Sequence, residues 1–149
     1  MLSNADSIPF STTFHVRDTC LCLHVQRAAR ALARRFDKAM KEVGLTNGQF
    51  SLLMSLNRPV PATMKSVADL LAMDRTTLTA ALKVLERRGL VESQIDPKDR
   101  RGKLLTLTQA GTGALVEALP IWTEVHTQID AELGDGGAGR LRNVLANIA

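Results

Sequence analysis

The stretch Asp74-Arg75-Thr76-Thr77-Leu78-Thr79-Ala80-Ala81-Leu82-Lys83-Val84-Leu85-Glu86-Arg87-Arg88-Gly89-Leu90 decides the fold. Asp74 carries a carboxylate that can accept from the unpaired N–H groups of a helix start, so it is placed to N-cap a helix beginning at Arg75. Leu78, Leu82 and Leu85 recur at steps of four and three and form one buried stripe. Thr76, Thr79, Ala80, Lys83 and Arg87 are left outward. Arg75 and Thr77 sit in the first turn, where the positive end of the helix favours anions. Gly89 stops the helix because glycine takes left-handed backbone without strain, and Leu90 falls where a Schellman cap seats an apolar side chain over Leu85. A short helix with one apolar edge and an outward face of small polar and cationic residues has the form that enters a DNA major groove.

Upstream, Lys65 to Leu71 reads as another short helix with apolar Val67, Leu70 and Leu71 spaced at three and four, and Ala72-Met73 interrupts before Asp74. Asn57-Arg58-Pro59-Val60-Pro61 is a loop, since neither proline can continue a helix. Thr46 and Gln49 have the spacing of a capping box and open a helix to about Leu56. From Val16 to Val43 there is no Pro or Gly, and Leu21, Val25, Ala28, Leu32, Phe36, Ala39 and Val43 recur at three and four, which predicts one long amphipathic helix ended by Gly44. Its opposite stripe, Arg27, Arg30, Arg34, Lys38 and Lys41, has the pattern of a solvated face.

Downstream, Val91 to Ile95 and Lys103 to Leu107 are strand-like runs joined by Asp96-Pro97-Lys98-Asp99-Arg100-Arg101-Gly102, so a charged β-hairpin is expected. Thr108 caps a further helix with Leu115, Val116, Leu119, Ile121, Val125, Ile129 and Leu133, and Pro120 is placed to kink it. Gly134 to Gly139 separates a last helix near Arg140 to Ile148, with Leu141, Val144, Leu145 and Ile148 on one face. The fold class is mainly α with a small β-hairpin. Two short helices and a tight turn, followed by a basic hairpin, are in the order of a winged helix-turn-helix. The expected domains are an N-terminal helix over 10–45, the winged helix-turn-helix over 46–107 and C-terminal helices over 108–149.

Charge narrows the function. The chain of 149 residues has a net charge of +4. Residues 75–103 alone hold eight basic and four acidic side chains, as much excess as the whole molecule. One electropositive surface follows, and nucleic acid is the partner to test. No Phe, Tyr or Trp lies in that segment, so the stacking platform of single-strand and RNA binders is missing and duplex DNA is favoured. The longest run without charge, Val43 to Asn57, is shorter than a bilayer span, so no membrane partner is expected. Met1 to Phe14 carry Asp6, no Lys or Arg and no continuous apolar core, so no secretory signal is expected and a cytoplasmic location is.

Ser66-Val67-Ala68-Asp69-Leu70-Leu71, Asp74 to Thr79, Leu85-Glu86-Arg87-Arg88-Gly89-Leu90-Val91, Asp96 to Arg101 and Leu107-Thr108-Gln109-Ala110-Gly111 together resemble the MarR-type winged helix-turn-helix transcriptional regulators. The resemblance implies a homodimer built by the first and last helices, two DNA-binding lobes, and repression relieved by a small molecule or an oxidant. The candidate DNA-binding residues are Arg75, Thr76, Thr77, Thr79, Lys83 and Arg87 on the helix, and Lys98, Asp99, Arg100, Arg101 and Lys103 on the hairpin. In the family the Asp-x-Arg of the wing, here Asp99 and Arg101, is a paired unit whose Arg reaches the minor groove. A carboxylate holding the guanidinium would reduce what is lost on entering a narrow groove.

The two cysteines are the remaining chemistry. In one helix Cys20 and Cys22 would stand about 200° apart and could not pair. Cys20 and His24 share a face with His15 nearby, but two or three ligands without a second cluster do not make a metal site. Cys22 lies at a distance from Gly44-Leu45-Thr46 similar to that of the reactive cysteine in the organic-hydroperoxide-sensing branch of the family. That branch places tyrosines four and fourteen residues later, where this chain has Gln26 and Phe36. A small-molecule pocket between the first, second and fifth helices is therefore preferred, with redox sensing at Cys22, or at Cys20, as the alternative. No catalytic residue and no cofactor is expected: a thiol peroxidase would lack a resolving cysteine, and a winged helix that binds protein would leave the basic hairpin unexplained.

Overall fold

The computed structural model describes residues 7–149. The chain falls into two compact units, Met1–Arg34 and Arg35–Ala149. In the first unit lie helix α1 (Phe10–Thr19), which buries no residue, and the start of α2 (Leu21–Met40). The long helix expected from Val16 is thus interrupted at Cys20, which has extended backbone with φ −68° and ψ 105°. The cause is local hydrogen bonding. Cys20 Sγ accepts the Leu23 N–H at 3.4 Å, so the cysteine caps a new helix in place of continuing the old one. The helical argument against Cys20 and Cys22 pairing accordingly does not apply, because they do not share a helix.

In the second unit α2 ends in a 3-10 turn, Lys41–Val43, and Gly44 at φ +70° reverses the chain. Then come α3 (Asn47–Ser55), β1 (Ala62–Thr63), α4 (Met64–Leu71), α5 (Arg75–Arg87), β2 (Val91–Asp96), β3 (Asp99–Leu107), α6 (Gln109–Leu133) and α7 (Gly137–Ala146). The capping box is present: the Gln49 N–H donates to Thr46 Oγ1 at 3.2 Å, and the Thr46 N–H donates to Gln49 Oε1 at 3.1 Å. The helix α6 runs through Pro120 without a break. Three boundaries shift: α7 begins at Gly137 and not at Arg140, β2 runs on to Asp96, and β3 starts as early as Asp99.

The hairpin is part of a three-stranded antiparallel sheet of order β1-β3-β2, with Ala62 opposite Leu105 and Val91 opposite Leu107. Met40, Leu53, Val67, Leu78, Leu85 and Leu105 form the centre of the core, each almost fully buried. Leu78, Leu82 and Leu85 are the stripe read from the sequence, so α5 is anchored by its apolar edge and its other face is free for solvent or ligand. The end of α5 is set with equal definition. The Leu90 N–H reaches the Leu85 carbonyl at 3.0 Å and the Gly89 N–H reaches Glu86 at 2.9 Å, which is the Schellman pattern. Thr108 then donates its hydroxyl to the Gly89 carbonyl at 2.6 Å, and a Cβ on Gly111 would stand 2.1 Å from the Leu90 carbonyl oxygen. Only glycine lets α6 start this close to the end of α5.

Candidate DNA interface

Asp74 caps α5 twice, accepting the Thr77 N–H at 2.8 Å and the Thr77 hydroxyl at 2.7 Å. Those two bonds, the hydroxyl's first, hold the Asp74 carboxyl below the usual carboxylate range, so it is anionic wherever the protein is folded near neutrality. The caps also decide which threonines face outward unengaged. The Thr77 hydroxyl is occupied by Asp74, and the Thr79 hydroxyl bonds back to the Arg75 carbonyl at 2.7 Å, which leaves its oxygen lone pairs and its methyl group to the outside. Arg75, Thr76, Thr79, Lys83 and Arg87 are all exposed.

The fold brings the wing beside this face. Arg75, Thr79, Lys83 and Glu86 of α5, together with Arg101, Lys103 and Leu105 of β3, line a crevice of about 200 Å³. A second crevice of about 520 Å³ is lined by Lys65 and Thr63 next to Arg75, Asp96, Asp99 and Lys103. Six residues chosen from the sequence thus line the two crevices: Arg75, Thr79, Lys83, Asp99, Arg101 and Lys103. Two that sequence reasoning left out, Lys65 and Glu86, are there too. Lys65 lies outside the basic run, in the helix before it, and is paired with Asp69 one turn on. Glu86 reads as a surface residue but is half-buried under the crevice. Lys98 and Arg100 are exposed at the hairpin end and line neither crevice.

The wing departs from expectation in one respect. The Asp99 carboxylate accepts the backbone N–H of Arg101 at 3.0 Å, and Asp96 accepts that of Lys98 at 2.8 Å. Among the described residues the ion pairs are Arg17–Asp18, Arg35–Glu132 and Lys65–Asp69, so Asp99 does not hold the Arg101 guanidinium. Geometry explains the exchange. The pairing jumps from Ile95–Lys103 to Asp96–Asp99, and Arg100, Arg101 and Gly102 bulge out of β3. In such a tight loop the nearest donor to a carboxylate is the backbone two residues on. The arginines are therefore presented by a shaped backbone, and both are exposed.

Two grooves lie away from this face. One, of about 690 Å³, runs between the end of α2 (Arg35, Lys38, Ala39) and α6 (Pro120, Ile121, Val125). Arg35 is held there by a two-point bond to Glu132, both contacts at 2.8 Å. The other, of about 330 Å³, has Phe50, Met54, Leu70, Leu119 and Trp122 in its wall. In the first unit, Gln26 Nε2 donates to Cys22 Sγ at 3.1 Å and Cys22 is exposed. His24 Nδ1 lies 2.8 Å from the Cys20 carbonyl oxygen.

The sequence profile of the MarR family matches residues 45–103. Among solved structures, the chain is 39% identical to the M. tuberculosis transcriptional regulator MosR in complex with DNA, over 87% of this chain and 92% of that one, with a TM-score of 0.79. The transcriptional repressor CouR, bound to a 23-mer DNA duplex, is 30% identical over 86% of this chain and 91% of that one, with a TM-score of 0.76. The transcriptional activatory protein BadR of Rhodopseudomonas palustris is 35% identical over 94 residues, 61% of this chain and 54% of that protein, so the match spans about half of that relative. A capped helix beside a basic three-stranded wing, together with likeness of this extent to solved transcriptional regulators, shows that the chain belongs to the MarR family.

Proposed function

We propose that this protein is a homodimeric DNA-binding transcription regulator, a repressor that holds a pseudo-palindromic duplex and releases it when a small molecule binds. The observation that carries the reading is the shared crevice, where Arg75, Thr79 and Lys83 of α5 meet Arg101 and Lys103 of β3. Cations from a groove-sized helix and from a wing on one surface suit a duplex, whose phosphates flank both grooves. In this reading Arg75, Lys83, Arg87, Lys98, Arg100 and Lys103 meet phosphates, and Thr76 and Thr79 meet base edges. Thr77 and Asp99 act through the backbone, and Arg101 enters the minor groove. The DNA-bound relatives MosR and CouR support it. A second copy is supported by apolar side chains left exposed on α2 (Leu21, Val25, Leu32) and on α7 (Leu141, Val144, Leu145). The grooves beside Trp122, mostly apolar, and beside Ile121, where Arg35, Lys38, Glu42, Glu124 and Gln128 join the apolar wall, are the places for an effector.

Selection of duplexes from a random pool by the full chain, followed by anisotropy titration of the enriched sequence, tests the proposal. The expected product is a pseudo-palindrome with half-sites roughly 10 bp apart, bound with affinity that falls steeply as salt rises. An affinity that is flat in salt, or a pool without enrichment, would end the reading.

One observation favours an oxidant as the signal. The break at Cys20 puts both thiols at the start of α2, with Cys22 exposed and bonded by Gln26. In that case organic hydroperoxide releases the parent protein from the duplex while Cys22→Ser stays bound, with Cys20→Ser as the control. A Cys22→Ser protein that still responds leaves the pocket ligand as the signal.

A further inference from the structure

The C-terminal end of α5 is tied to a turn far back in the chain. Arg88, which closes the helix, donates from Nη2 to the Gly44 carbonyl at 2.8 Å and from Nη1 to Gln49 Oε1 at 3.2 Å. The same Gln49 oxygen accepts the Thr46 N–H in the capping box of α3. From the other side, Asp37 of α2 accepts the Asn47 N–H at 2.6 Å. The turn between α2 and α3 is therefore held by a carboxylate from α2 and a guanidinium from α5. The Schellman cap at Gly89 fixes the backbone from which Arg88 projects.

By charge alone Arg88 would count among the phosphate contacts of the basic segment. Its bonds place it elsewhere. A planar guanidinium can span a backbone carbonyl and a side-chain oxygen at once, which an ammonium cannot do with the same definition. The side chains that face DNA are strung along α5 from Arg75 to Arg87, and a helix of this length spans about 20 Å. A tilt of about 5° pivoting on one end would carry the other by nearly 2 Å, beyond the roughly 0.5 Å that a well-placed contact tolerates. We infer that Arg88 is a positioning residue for DNA binding: by bridging to Gly44 and Gln49 it sets the pose of α5 and does not contact a phosphate. The inference rests on the DNA-binding reading above.

The test uses the duplex enriched by the parent protein and measures affinity across a salt series for Arg88→Ala, Arg88→Lys and Gln49→Glu, with thermal melts to show that each folds. A positioning role predicts about tenfold weaker binding for Arg88→Ala, on the scale of one lost charge-assisted bond. The slope of log K against log salt should be the same for Arg88→Ala and Arg88→Lys, because the pose of α5, not the charge at position 88, sets the phosphate contacts. Arg88→Lys should fail to restore affinity although it restores the charge. Gln49→Glu keeps the capping box and gives Arg88 a charged partner, so it should bind at least as well as the parent. The inference falls if Arg88→Lys binds like the parent while Arg88→Ala lowers the slope by about 0.9, the signature of one phosphate contact. It also falls if all three variants bind alike. A parent protein that enriches no duplex overturns the DNA-binding reading and this inference with it.

Discussion

Ala72 closes α4 in the left-handed region, φ 51° and ψ 41°, and is the non-glycine residue with positive φ among those described. Its N–H still reaches Ala68 and Asp69, so the helix end is made at the cost of a crowded Cβ, about 1 kcal/mol for an L-residue. Ala72→Gly should therefore raise stability by about 0.5 kcal/mol, the relief being offset in part by the freer unfolded chain. A urea titration in which the variant unfolds earlier than the parent would count against the strain. Asp74 offers a second test at this scale. Its folded pKa lies below the ordinary value of about 3.9, so its contribution is complete above that value and fades as pH falls through the folded pKa. Glu132, lowered by its bond to Arg35, behaves in the same sense. Asp74→Asn and Glu132→Gln should each flatten the fall in urea midpoint between pH 5 and 3, and unchanged curves would show that neither bond differs between folded and unfolded chains.

The wing is an element whose shape and charge can be separated. Arg101→Ala should lower specific duplex affinity by about 1–3 kcal/mol, the scale of one good groove contact. Asp99→Ala should lose less. Because the Asp99 carboxylate serves the backbone N–H of Arg101, the amide oxygen of Asp99→Asn can take its place, and that variant should bind nearly like the parent. Were an ion pair to the guanidinium responsible, the Asn and Ala variants would be equally impaired in anisotropy titrations.

At the scale of the whole molecule, α7 buries none of its residues, Val144 stands 59% exposed, and Ile148 just beyond the helix stands 63% exposed. A face this apolar is unfavourable in water, and a second copy would cover it. Truncation before Arg140 should therefore convert a dimer to a monomer by light scattering and abolish high-affinity binding to a two-half-site duplex, while α3 to β3 stay folded by circular dichroism. A truncated chain that remains dimeric would place the interface elsewhere.

Helix ends and the core stripe were legible from residue spacing alone. Thr46 with Gln49, Asp74 with Thr77, Thr108 with Gly111, and Gly89 after Arg88 are partners within four residues, so the bonds they make depend on little beyond their own turn. The charge count likewise marked the hairpin and the helix before it as one basic segment. What the sequence could not convey are contacts chosen by packing. The two-residue strand β1 exists because Leu104 and Leu105 lie beside it, and nothing local in Ala62-Thr63 announces a strand. Lys65 joins the crevice from another helix, Asp99 finds a backbone N–H where a guanidinium was anticipated, and Arg88 finds acceptors 39 and 44 residues away. Even the break at Cys20, local as it is, turns on a sulfur accepting an N–H in a stretch without Pro or Gly, where periodicity alone reads a continuous helix. A hydrogen bond inside one turn is specified by spacing, whereas a partner brought from another element is specified only when the core has set the two side by side.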